Sequence, residues 1–241
     1  MKKFLLLLTV MIFAAGAFAQ NTSEKITEER VLEPFSKIDV SSLANVIIVT
    51  GQRQKVTVSG DQEMLPYLET NVVGNTLYIC YHSGKKKTKI KNNCCEFTIK
   101  ICVENLTEIR TSGVVEVDFP QKTVLKNLRI SNSGVTKTVF DDLEVEGSLT
   151  ATTSGASHLE INGTTFGDVE ISVSGASDTK FSGSTKYLDL TASGASCIKI
   201  SGHADEVSAS ASGASNIKAK NFTCDKKSLR SSGAADIYLM D

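Results

Sequence analysis

From residue 109 onward the chain alternates apolar and polar side chains in short runs, and each run breaks at a Ser-Gly pair. The stretch "TASGASCIKISG", residues 191–202, is one such break with its flanks. The glycines of the pairs are Gly113, Gly134, Gly155, Gly175, Gly194, Gly213 and Gly233, spaced 19 to 21 residues apart. Counting from each glycine, positions −4 and −2 give sets such as Ile109/Thr111, Ile171/Val173 and Leu190/Ala192. Positions +4 and +6 give Val117/Phe119, Leu159/Ile161 and Ile198/Ile200. Period-2 alternation is the mark of half-buried strands, and here it keeps phase through seven copies. A repeat of about 20 residues is too short for helical pairs or propeller blades. It predicts an all-β parallel β-helix, a β-solenoid with two apolar-in strands per coil.

The Ser-Gly segment is then the bend between those strands. Glycine tolerates the backbone angles and close approach such a bend requires, so the seven glycines are structural candidates. A serine precedes each of them, and stacked copies stand about 4.8 Å apart along the axis. A second break follows at Gly163, Gly183 and Gly202. A degenerate eighth copy lies in "IDVSSLANVIIVTG", where Ser42 takes the glycine slot. The strands "KVTVSG", "TLYICY" and "FTIKICV" between it and Gly113 leave room for about three further turns. One coil cannot bury its own apolar face; stacking does it.

The N-terminus changes the picture. "MKKFLLLLTVMIFAAGAFAQ" has a basic start, a short apolar run and Ala17-Phe18-Ala19, the layout of a cleaved export signal. The apolar run is short for a bilayer span of about 20 residues. Residues 1–19 are read as a signal peptide and 20–30 as a flexible segment. Residues 31–241 form the β-helix domain, with irregular coils over 31–104 and regular coils over 105–241. The protein is therefore expected to be exported, to the periplasm, the cell surface or the medium, with no transmembrane anchor after cleavage. Loss of Lys2 and Lys3 leaves 24 basic residues against 27 acids, which lacks the basic footprint of a nucleic-acid binder.

An exported chain with six cysteines invites a disulfide. Cys80 and Cys102 each fall out of phase with the apolar set of their strand and are candidates to bridge; the alternative is two partly buried thiols. No cysteine or histidine spacing suggests zinc, so no metal and no cofactor is expected. The histidines His82, His158 and His203 have no carboxylate partner in a repeated register. Polysaccharide lyases and hydrolases also use β-helices, and they need paired carboxylates or a poised base in a cleft. That enzymatic reading is the alternative here, without a long inserted loop to wall a cleft.

The run of SGAS coils, the opening "FSKIDVSSLANVIIV" and the strand "GNTLYI" resemble the "putative auto-transporter adhesin head" family, the GIN domain, common in Bacteroidetes. The resemblance spans residues 31–241. It implies a right-handed parallel β-helix and an adhesin-like, non-enzymatic function, and it carries no catalytic residues. Among outward rows, position +5 brings Lys180, Lys199 and Lys218 onto consecutive coils. They are candidate binding residues for an anionic glycan or envelope polymer, or else a solvated face. The basic run "GKKKTKIK", 84–91, is read as an exposed hairpin. Rows −3 and −1 form a hydroxyl face, mostly serine. The open last turn near Asp241 is a template for pairing with a second copy, which makes a homo-oligomer one expectation; the alternative is that Lys226, Lys227 and Arg230 keep this edge soluble.

Overall fold

A computed structural model describes residues 24–81 and 97–239. Residues 1–19, expected to be an export signal, lie outside the described residues, as do His82, the 84–91 run, Cys94, Cys95 and Asp241. Among those described, no helix is long and apolar enough to cross a membrane. The chain forms β1 (Lys25–Arg30), β2 (Lys37–Thr50), β3 (Lys55–Asp61), β4 (Leu68–Val73), β5 (Thr76–Tyr81), β6 (Phe97–Val103) and β7 (Glu108–Phe119). Then follow β8 (Thr123–Leu125), β9 (Leu128–Asn132), β10 (Val135–Thr153), β11 (His158–Val173) and β12 (Asp178–Ala192). β13 (Cys197–Ala211), β14 (Asn216–Ser231) and β15 (Asp236–Tyr238) complete the stack.

The result is a parallel β-solenoid of about seven turns. From β10 to β14 each strand is one coil between successive Ser-Gly bends and pairs in parallel with the next. Register slips sit where the second break was expected, between Asn162 and Thr165 in β11 and between Ile200 and Gly202 in β13. There the coils touch backbone to backbone: a methyl group added to Gly202 would lie 2.1 Å from the carbonyl oxygen of Gly183. The alternation places Ile109, Ile130, Leu159, Ile171, Leu190, Ile198 and Ile217 fully inside. Phe119 stacks on Phe140 with ring centroids 4.0 Å apart, and Phe166 meets Phe181 at 5.0 Å. In the last coil the pattern fails. Leu229 is exposed, because no described coil lies beyond it to close the core.

The first third departs from the expected three turns. β2 lies directly on β7, with Ser42 opposite Gly113 as the degenerate copy requires. On the other side of β2 stand β5 and β6, both parallel to it. β4 then pairs antiparallel with β5, β3 with β6, and β1 with β3. One irregular coil and an antiparallel cap therefore replace the three turns. Reversing strand direction gives the end of the stack a terminus unlike the repeat, as a capped solenoid needs. The Cys80–Cys102 bridge is also corrected. Cys80 stands opposite Ser41 and Cys102 opposite Val49, on different arms of β2. Both are thiols, and the Cys80 thiol faces the Glu69 carboxylate at 3.9 Å.

Candidate functional site

Each coil presents two outer faces, and the Ser-Gly bend holds them apart. Every bend glycine has positive φ, from 74° at Gly175 to 87° at Gly113. At Gly194 a β-carbon would also stand 2.9 Å from the carbonyl oxygen of Gly175 in the coil before. Backbone bonds tie the bends together, as from the Ala195 N–H to the Gly175 carbonyl at 2.9 Å. The second serine of each SGAS turns inward: Ser157, Ser177, Ser196 and Ser215 are buried. The Ser215 hydroxyl donates to the carbonyls of Ser212 at 2.8 Å and Ala192 at 3.2 Å. First serines bond the coil before as well, as from the Ser133 hydroxyl to the Thr111 carbonyl at 3.3 Å and from Ser154 to the Asn132 carbonyl at 3.4 Å. The signal for the second was its even offset from the interior +4 and +6 positions.

The face after the bend carries the +3 and +5 rows. Glu160, Lys180, Lys199 and Lys218 follow one another in register, so the three candidate lysines do share a row. Their charges are largely answered within the fold. Lys180 pairs with Glu160 at 3.2 Å and Lys199 with Asp178 at 3.2 Å. His158 lies 3.4 Å from Glu160, two residues on in its own strand, and 3.4 Å from Asp178, opposite it in the +3 row, which corrects the expectation that no histidine has a carboxylate partner in register. Lys137 pairs with Glu116 in the same way. Burial would raise the Glu160 carboxyl, but hydrogen bonds from Lys180, His158 and Asn162 outweigh it and hold it below the usual carboxylate range. Asp118, at the start of the +5 row, is pushed up by burial and by Glu116, with Lys137 opposing. Lys218 makes no ion pair among the described residues.

The face before the bend differs. Positions −7 and −5 of four coils form a grid of Ser148/Thr150, Asp168/Glu170, Tyr187/Asp189 and Glu206/Ser208, in register coil by coil. These side chains line an open groove of about 320 Å³. Tyr187 is 56% exposed at its centre. Asp168, Glu170, Asp189 and Glu206 form no ion pair among the described residues, even though Lys226 follows Glu206 in its row. Beside the grid, rows −3 and −1 present the expected hydroxyls, among them Thr152, Ser172, Thr191 and Ser210. A tyrosine ring ringed by carboxylates and hydroxyls offers one apolar surface and many hydrogen-bond acceptors. Sequence reading passed over this grid, since rows −7 and −5 carry no repeated residue type.

A model of the family described as "Putative auto-transporter adhesin, head GIN domain" matches residues 34–183 and 149–241. Among solved structures, a putative adhesin from Parabacteroides distasonis superposes with a TM-score of 0.71 at 15% identity, covering 90% of this chain and 98% of that one. One from Bacteroides fragilis gives 0.67 at 20% identity, covering 90% and 97%. A structure named a putative lipid binding protein, also from P. distasonis, gives 0.50 at 17% identity, covering 89% and 97%. At these identities the likeness is one of fold. No curated protein matches the chain.

Proposed function

Because this chain belongs to the family of the "putative auto-transporter adhesin, head GIN domain", we propose that it is an exported, non-enzymatic interaction module that holds a surface glycan or envelope polymer along a strand face. The observation that carries the reading is the groove around Tyr187. Its size is that of small-ligand sites, which combine an apolar surface with a few convergent polar groups. A tyrosine ring supplies the apolar surface, and the flanking carboxylates and hydroxyls supply acceptors for sugar hydroxyls. The strand face runs on past the groove in both directions, which suits an extended chain more than a compact ligand. The groove is open on its outer side, which favours holding over chemistry that needs water excluded.

A second contact is kept for a specific reason, the register of Lys180, Lys199 and Lys218. An anionic polymer meeting this row must compete with Glu160 and Asp178. Each exposed ionic contact contributes at most about 1 kcal/mol, so binding there would rest on repeated copies and fall with salt.

A glycan-array screen of the purified protein tests the function, and two variants locate the contact. Tyr187→Ala should abolish retention of neutral glycans. The Lys180→Glu, Lys199→Glu, Lys218→Glu triple variant should leave them bound and lose only anionic polymers. An array with no retained glycan, or release of new sugar ends from a bound polysaccharide, overturns the reading.

A further inference from the structure

Two coils from the C-terminal end, four outward side chains form a square. β13 turns His203 and Asp205 outward on either side of buried Ala204. β14 sets Thr223 opposite His203, and Asp225 falls opposite Asp205 between the paired positions Ala204/Cys224 and Glu206/Lys226. The His203 Nδ1 lies 2.8 Å from the Thr223 hydroxyl. The other ring nitrogen, Nε2, lies 3.5 Å from a carboxylate oxygen of Asp205. One donor atom from each of His203, Asp205 and Asp225 falls within 4.8 Å of the other two.

We propose that His203, Asp205 and Asp225 bind a divalent transition-metal ion of the zinc class. Like charges directly opposite on neighbouring strands repel, and among the described residues His203 is the only ion-pair partner of these two carboxylates. Lys186, whose place in the preceding coil falls opposite Asp205, makes no ion pair with it among the described residues. The imidazole sets the metal class, since nitrogen donors suit zinc, nickel and copper, whereas calcium and magnesium take oxygen. The spacing fits as well. Donors about 2.0–2.2 Å from a tetrahedral ion stand roughly 3.4 Å apart, close to the Nε2 separation from Asp205. With Nδ1–H donating to Thr223, the Nε2 lone pair is free for the ion, the usual way an outer partner orients a histidine ligand. Three protein donors leave a fourth position for water or an oxygen of an outside ligand. The site does not depend on the glycan reading.

Calorimetric titration of the purified protein with zinc chloride alone, at neutral pH, tests this. The expected result includes one zinc equivalent per chain whose affinity drops at least tenfold in His203→Gln and in Asp225→Asn, and less in Thr223→Val. Cys224→Ser should leave that equivalent in place, which separates the site from thiol ligation. Circular dichroism checks that each of the four variants keeps the β fold; the changes at His203, Thr223 and Asp225 lie on the outer surface. Zinc binding untouched by His203→Gln and Asp225→Asn overturns the proposal. So does loss of the equivalent in Cys224→Ser, or calcium binding as tight as zinc and indifferent to His203→Gln.

Discussion

The two faces of the solenoid share one backbone and one register, yet they treat charge in opposite ways. After the bend, Glu116 meets Lys137, Glu160 meets Lys180, and Asp178 meets Lys199, each pair reaching from one coil to the next. Before the bend, Asp168, Glu170, Asp189 and Glu206 crowd the middle coils with no ion-pair partner among the described residues. A stack that repeats every 4.8 Å multiplies any choice: opposite charges in adjacent coils build a self-neutralising ladder, and like charges build a field. The first face largely satisfies itself, with Lys218 left over at its end, so most of its charges are explained by the fold. The second leaves acceptors and an aromatic ring open, which is what a partner needs.

Breaking the bend that separates the faces gives the largest effect. Gly194→Val forces a β-branched residue to φ near 75° and against the Gly175 carbonyl. It should destabilise by roughly 1–3 kcal/mol, read from chemical denaturation; an unchanged midpoint would show that the bend does not need glycine. Ser215→Ala comes next. It removes the hydroxyl that bonds the Ser212 and Ala192 carbonyls, and the loss of a buried hydrogen bond costs about 1 kcal/mol. The same change at Ser212, the serine before the glycine, should cost less.

Neutralising carboxylates then separates the faces by sign. Glu160→Gln should lower stability by a few tenths of a kcal/mol, the scale of a partly exposed ion pair. Glu170→Gln, next in register to Asp189, should raise it by a similar amount, since it relieves like-charge repulsion. Shifts of the same sign at both sites would erase the contrast. The smallest effect is in pH. Glu160 has a lowered folded pKa, so its contribution is present above the unfolded carboxylate pKa and is lost as pH falls through the folded value. Asp118 has a raised folded pKa, so it opposes folding at neutral pH and ceases to as it protonates. Glu160→Gln should therefore flatten the acid limb of the stability curve, and Asp118→Asn should add stability at pH 7 and little at pH 3.

The repeat was legible because interior positions obey a period of two and the bends a period of about 20. Ile198, Gly194 and Ser42 could all be placed by counting. The lysine row followed from the same count. Missed in the count were the two carboxylates that flank His158, the buried second serines, and the antiparallel cap built by β3 and β4.

By itself the sequence determined which strand side chains face inward, where the chain bends and which residues share a row, because local alternation settles the first and the repeat of about 20 residues the other two. Only the tertiary structure decided which charges meet. A row lists residues one coil apart, but an ion pair such as Lys199 with Asp178 joins different rows, and its formation depends on side-chain reach across a stacked neighbour. The same holds for Tyr187 and the carboxylates around it. Four coils must stack before the groove exists, so no single stretch of chain could disclose it.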